Sequence, residues 1–147
     1  MGQQQLLLLV LSTVIVGLAT VAGIQAFSES QEQATQDALI QRTNSLATDI
    51  AAAAEQPSQL GGVDFTSDSA DDVANAIGLE SASGISADGA GESASCEITI
   101  NSSDGSNGSA DINCGSDGAN GGTQQISVNV DPDADQVVGD PDITVTS

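Results

Sequence analysis

The sequence has almost no positive charge and almost no aromatic side chains. Of its 147 residues one is basic (Arg42), none is His, Trp or Tyr, and 21 are acidic, so the net charge is −20. Binding to nucleic-acid phosphates requires Lys and Arg, so nucleic acid is excluded as a partner. Anionic lipid headgroups attract basic segments, so they should repel this acidic surface. Without His or Lys to act as a base, no catalytic constellation is visible. We therefore expect neither an enzyme nor a cofactor.

The acidity has two interpretations. Near-total loss of Lys together with excess acid resembles proteins from halophiles, because molar salt shortens the Debye length to about 3 Å and screens the repulsion. The alternative is an acidic, largely solvated domain from an ordinary organism. We favour the halophile.

The scarcity of aromatics limits the core of the C-terminal head, residues 58–147. Phe65 is its only aromatic residue, and so small a core usually needs a covalent staple or neighbouring chains.

Cys96 and Cys114 are the only cysteines. We expect one disulfide, which would contribute about 3 kcal/mol by closing its loop. A metal site is the weaker alternative, because two thiolates without His do not complete a tetrahedral shell.

A long hydrophobic run, Leu6–Phe27, is the strongest positive signal. Roughly 20 apolar residues cross a bilayer core as a helix, and no charged residue precedes Glu29. A secretory signal would have a basic start and a shorter apolar region. We therefore expect residues 1–27 to be retained as a hydrophobic membrane or filament-core helix.

The helix is predicted to continue through an amphipathic segment, residues 28–57. This segment is rich in good helix formers and has no Gly, and Pro57 ends it. One helix is therefore predicted from about Gln3 to Gln56. Its apolar stripe must pack on the head, a neighbouring subunit, or both; the stripe comprises Leu39, Ile40, Leu46, Ala47, Ile50 and Ala54.

The head is predicted to be α+β. Ser69 and Asp72 stand at capping-box spacing and predict a short helix over 70–77, and the Ser/Gly-rich stretch 81–94 predicts a loop. Alternating patterns then predict four short strands in an antiparallel sheet whose apolar face is covered by the amphipathic helix. The strands are predicted at 96–101, 109–114, 125–130 and 142–147.

Two further motifs lie in the head. Asn101 and Asn107 each begin an N-glycosylation sequon beside the predicted hairpin turn. Asp131, Asp133 and Asp135 alternate as calcium ligands do. A standard calcium loop also has Gly at its sixth position and Glu at its twelfth, and this sequence has neither. A solvated turn is therefore the favoured interpretation and a calcium site the weak alternative.

Small residues recur four apart within the apolar run. The pairs allow close approach of helices in apolar surroundings, although Gly and Ala are also common in membrane helices for other reasons. The pairs are Thr13 with Gly17, Ala19 with Gly23, and Ala22 with Ala26.

The N-terminal segment Gly2-Gln3-Gln4-Gln5, followed by Leu6–Leu11, resembles the start of a type IV pilin, and the predicted architecture is similar to that family as well. The resemblance implies that a prepilin peptidase cuts after Gly2, so that Gln3 becomes the first residue. If an upstream leader has already been removed, Met1 is first instead. Gln5 then stands where bacterial pilins carry a Glu that pairs with a neighbour's N-terminal amine. Archaeal members of the family are a comparable match.

The resemblance implies a structural subunit of an extracellular type IV pilus-like filament. Such a subunit is inserted in the membrane before assembly, depends on the pilus assembly machinery, and polymerises with copies of itself. The alternatives are a monomeric, single-pass anchored surface domain that binds a partner, and a minor pilin-like component of a secretion or DNA-uptake machine. The residues expected to pack in the filament core are Gln5, Leu6, Leu9, Thr13, Gly17, Ala19, Gly23, Ala26 and Phe27.

Overall fold

The computed structural model describes residues 2–103, 107–133, 138–139 and 142–145. The chain forms two compact units, Met1–Ala34 and Thr35–Ser147. We call them the N-terminal unit and the head unit.

The predicted long helix is confirmed as α1, Gly2–Ala54. Its ends lie within two residues of those predicted. Pro57 follows, and a single 3₁₀ turn at Ser58–Leu60 ends at Gly61, whose φ of 90° is in the left-handed region that glycine favours. The helix thus ends where the sequence changes from helix-forming residues to Pro and Gly.

The amphipathic stripe of α1 forms one side of the core of the head unit. Four of the six predicted stripe residues are buried, namely Leu39, Leu46, Ala47 and Ile50. Ile40 and Ala54 are only partly buried. Thr43 is buried as well, which was not predicted; its Oγ1 donates to the carbonyl oxygen of Leu39 at 2.7 Å, so the hydroxyl is satisfied within the helix.

The described part of the head unit contains an antiparallel sheet in which the strands are neighbours in chain order. Four strands match the predicted positions, and the α+β fold is confirmed. The prediction of a loop over 81–94 was wrong at two residues, because Ile85 and Ser86 pair with Cys96 and Ser95. Residues 146–147 of the last predicted strand lie outside the described residues. The strands are β1 (Ile85–Ser86), β2 (Ser95–Asn101), β3 (Ser109–Gly115), β4 (Gln124–Val130) and β5 (Asp142–Val145).

One face of the sheet is apolar and belongs to the same core as the stripe of α1. Its buried side chains alternate along the strands as predicted; they are Cys96, Ile98, Ala110, Ile112, Cys114, Ile126, Val128 and Val130. Ile143 lies opposite Ile126 but is 40% exposed, because β5 is the last strand in the sheet order. The side chain of Val145, predicted on the same face, lies outside the described residues.

The predicted short helix is confirmed as α2, Ala70–Ala76, and it begins with a capping box. Ser69 Oγ donates to Asp72 Oδ2 at 2.6 Å, and the Ser69 backbone N–H donates to the same oxygen at 3.0 Å. These two bonds, the hydroxyl first, lower the pKa of Asp72 below its usual 3.8. The Thr66 hydroxyl and then the Thr66 backbone N–H lower the pKa of Asp64 in the same way.

The buried centre of the sheet predicts a large stability loss on truncation. Ile112 is fully buried in β3, and we expect Ile112→Ala to lower the opening free energy of β3 amides by about 2–5 kcal/mol. Amide hydrogen exchange of the full chain in detergent micelles measures it. Ser127→Ala, on the polar face of β4, is the control and should change it by less than about 0.5 kcal/mol. Equal effects of both variants would contradict the assigned faces.

The capping box predicts a pH dependence. Because the pKa of Asp72 is lower in the folded state, its stabilisation is present above pH 3.8 and is lost as the pH falls through the folded-state pKa. We expect Asp72→Asn to lower the thermal midpoint of the head unit at pH 7, with a difference that shrinks as the pH falls below 3.8 and through the lowered pKa. Circular dichroism measures the midpoint. In a Ser69→Ala background the pH dependence of the Asp72→Asn effect should weaken; an unchanged dependence would exclude Ser69 as its main cause.

Candidate functional site

The apolar half of α1 is exposed along its whole length. Every described residue of the N-terminal unit is exposed to solvent, and the large hydrophobic side chains between Leu6 and Phe27 are 50–68% exposed. Single soluble chains rarely expose a contiguous apolar surface of this size. The segment therefore requires an apolar partner, either lipid or other helices.

The hydroxyl groups within this segment are satisfied by the helix itself. Ser12 and Thr13 donate to the carbonyl oxygens of Leu9 and Val10, both at 2.8 Å, and Thr20 donates to that of Val16 at 2.7 Å. In hydrocarbon an unsatisfied polar group is costly. These internal bonds let the segment enter an apolar environment without exposing hydroxyl donors.

The helix is long and apolar enough to cross a membrane. Among the described residues it is the one helix that meets this criterion, with a mean hydropathy of 2.5 over its most apolar 18-residue window and none of that window buried. The chain therefore carries an apolar N-terminal helix with the length and composition of a membrane anchor or a signal sequence.

The residues predicted to pack in the filament core all lie on this exposed helix, from Gln5 to Phe27. Gly17 and Gly23 have nothing within 4 Å of the position that a Cβ would occupy. Within one chain these glycines have no close neighbour that requires them. Close packing against another helix remains a prediction.

The predicted processing site lies at the start of α1. Gly2 is the first helical residue, and Gly2 and Gln3 are exposed. Met1 lies outside the described residues. Cleavage after Gly2 remains a prediction.

The predicted disulfide is confirmed. Cys96 and Cys114 lie directly opposite each other on β2 and β3, with their Cα atoms 4.0 Å apart and no exposed surface on either residue. The bond ties the open ends of the hairpin, as expected. Its burial makes it a structural staple.

The two sequons differ in their surroundings. Asn101 is exposed, and its Oδ1 accepts from Ser103 Oγ at 3.0 Å, with Ser103 exposed as well. Asn107 instead donates from Nδ2 to Asp133 Oδ1 at 2.7 Å, and the hydroxyl-bearing Ser109 of its sequon is fully buried. Glycosylation at either site remains a prediction, and the geometry is more open at Asn101.

The two described calcium candidates, Asp131 and Asp133, both accept hydrogen bonds from the protein. Asp133 binds the side chain and the backbone N–H of Asn107, and Asp131 Oδ1 accepts from the backbone N–H of Asp133 at 2.8 Å. Asp135 lies outside the described residues. Within residues 2–103, 107–133, 138–139 and 142–145, no three Cys, Asp or Glu side chains are placed to hold a metal ion.

Arg42 has a contact that sequence reasoning missed. Its Nε donates to the carbonyl oxygen of Ser86 at 3.1 Å and so joins α1 to the edge strand β1. The two residues are 44 positions apart in the chain. A lone base in so acidic a sequence was the available signal, but it does not indicate its acceptor.

Comparisons with protein-family models, with curated proteins and with solved structures gave no match. The features that bear on function are therefore the exposed apolar helix and the composition of the head unit.

The exposed helix predicts insertion into lipid. The chain has no Trp or Tyr, so Ile15→Trp introduces its only indole. We expect the fluorescence of this Trp to be strongly quenched by lipids brominated in mid-chain, because Ile15 lies in the middle of the apolar segment. Gln33→Trp, on an exposed polar turn of α1, is the matched control and should not be quenched. Equal quenching of the two variants would contradict insertion of residues 6–27.

Proposed function

We propose that this chain is a structural subunit of an extracellular type IV pilus-like filament. The observation that carries the proposal is a 22-residue apolar helical segment, Leu6–Phe27, exposed throughout and covalently continuous with a compact acidic unit. Lipid covers that segment before assembly, and the same segments of other copies cover it in the filament. The acidic head units coat the outside.

The distribution of small residues supports a bundle of many helices. At about 3.6 residues per turn, the pair Thr13 and Gly17 lies roughly 150° around the helix from the set of Ala19, Ala22, Gly23 and Ala26. A helix that makes only one dimer contact needs one such face. Two nearly opposite faces suit a helix that has neighbours on both sides.

The composition of the head supports an outward position. A net charge of −20 keeps the surface solvated, and burying such carboxylates between helices would be costly. The head units therefore remain in water while the N-terminal units associate.

The proposed processing follows from the resemblance at the N-terminus. A prepilin peptidase would cut between Gly2 and Gln3, and the pilus assembly machinery would then move the subunit from the membrane into the filament. In the other register, with Met1 as the first residue, Gln5 takes the place of that Glu; it can donate or accept a hydrogen bond there but cannot form the ion pair that a Glu would make.

The alternative is a monomeric surface domain held by one membrane span. The same single apolar helix is sufficient for that role. The two proposals differ in what the apolar segment contacts: lipid alone, or other copies of the chain. Substitutions at the small residues separate them.

Gly17→Leu and Gly23→Leu test the proposal. The added side chains meet nothing within 4 Å in one chain, and Leu is a better helix former than Gly, so the subunit itself should be intact. We expect at least a tenfold loss of this chain from sheared surface filaments, because neighbouring helices can no longer approach closely; tenfold corresponds to about 1.4 kcal/mol.

Val16→Leu is the matched control, since it enlarges a neighbouring exposed residue without filling a small-residue site. It should assemble as the unmodified chain does. The amount of chain in sheared filaments is measured by mass spectrometry, and N-terminal sequencing of the same material identifies its first residue. Absence of the unmodified chain from the filaments, or normal assembly of both glycine variants, would contradict the proposal.

A further inference from the structure

Arg42 is the only side-chain cation in a chain with 21 acidic residues. It is half-buried in the part of α1 that belongs to the head unit. It lines a groove of about 330 Å³ together with the segment from Gly78 to Ser86. The only positive side chain is thus held in a concave site of the head unit.

The guanidinium is held by one of its nitrogens. Nε donates to the carbonyl oxygen of Ser86 at 3.1 Å, which orients the plane of the group. Within the described residues this is the only hydrogen bond of Arg42, and it makes no ion pair. The two terminal nitrogens, with four N–H donors between them, remain for another acceptor.

The acidic residue that lines the same groove does not use them. Glu80 lines the same groove but forms no ion pair with Arg42 in the described structure. Ser81 and Ser83 also line the groove. Ser81 Oγ donates to Asp71 Oδ1 at 3.5 Å and lies 3.4 Å from Ser83 Oγ, so it is the Ser83 hydroxyl that can turn to donate to an incoming carboxylate. The groove therefore combines the planar guanidinium with one neutral hydroxyl donor.

We propose that this groove docks an Asp or Glu carboxylate from a second copy of the chain. A guanidinium and a carboxylate can form two parallel N–H···O hydrogen bonds. Because the Arg42 guanidinium is already oriented by Ser86, it loses less conformational entropy on binding than a free side chain would. A second copy is the occupant favoured by charge. Between two copies of this chain, Arg42 is the only side chain able to form an ion pair with a neighbour's acids.

This inference rests on the proposed filament, which brings copies together at high local concentration. Each copy repels the next through its acidic surface, so one attractive contact per copy has a large influence on which arrangement is favoured. We infer that the Arg42 contact helps to set the register between neighbouring head units. The apolar helices supply the association itself.

Mixed isotope labelling tests the contact without any substitution. Because Arg42 is the only arginine, ¹⁵N-arginine labels one guanidinium in the whole chain. Filaments assembled from equal parts of ¹⁵N-arginine subunits and ¹³C-aspartate/glutamate subunits are examined by solid-state NMR. We expect short-range transfer between guanidinium nitrogen and carboxylate carbon, which in this mixture arises only between copies.

The same mixture in concentrated detergent micelles separates this inference from the filament proposal. Transfer in micelles, together with absence of the chain from sheared surface filaments, supports the docking and contradicts the filament. Filaments without transfer contradict the docking and leave the filament standing. No transfer in either sample, or transfer seen only when one subunit carries both labels, as an internal Glu80 contact would give, overturns the docking.

A pair of variants measures its effect on assembly. Arg42→Gln should raise the concentration of unassembled subunit about fivefold to tenfold. Glu80→Gln, the matched control in the same groove, should not raise it, since it removes only a competing acid. Thermal unfolding of both variants in micelles shows whether the head unit is intact. Equal assembly of an intact Arg42→Gln variant and the unmodified chain would contradict the proposal.

Discussion

The exposed apolar surface between Leu6 and Phe27 is the constraint on which the rest of the molecule depends. Burying that many large hydrophobic side chains is worth about 25 cal/mol per Å² of apolar area, whereas leaving them in water has no compensation within the chain. The segment has the length and composition of a membrane anchor or a signal sequence, and an apolar environment would stabilise it. Helix α1 is continuous from Gly2 to Ala54. Along it the side-chain pattern changes from apolar on all sides to a single apolar stripe.

The head unit achieves a stable core with few large side chains. Its sheet joins strands that are neighbours in sequence, so the strand pairings close short loops at low entropic cost. A buried disulfide joins β2 to β3, and the one aromatic residue, Phe65, is 1% exposed. Gly108 has a φ of 70°, and a Cβ there would lie 3.0 Å from the Cβ and the carbonyl oxygen of Phe65.

Periodicity predicted most of the fold, and contacts distant in sequence account for what it missed. The helices, four strands and the capping box follow from repeats and local spacing, which a single sequence displays directly. Strand β1 has two residues, too few for an alternation to be visible, and it forms because Ile85 is buried opposite Cys96. The bonds from Asn107 to Asp133 and from Arg42 to Ser86 join residues 26 and 44 apart. The apolar helix of the candidate site was predicted in full, because its signal is composition alone.

In the proposed filament, salt affects the acidic surface of the head units and the apolar surface of the helices differently. At molar ionic strength the Debye length is about 3 Å, so the general repulsion between acidic head units is largely screened, while burial of apolar helices persists. Contacts at hydrogen-bond distance between partly buried groups are screened much less. Association would then come from the non-directional packing of residues 6–27, which fixes no unique register. A directional contact must supply the register, and in the proposed filament the single guanidinium of Arg42 is the charged side chain best placed to do so.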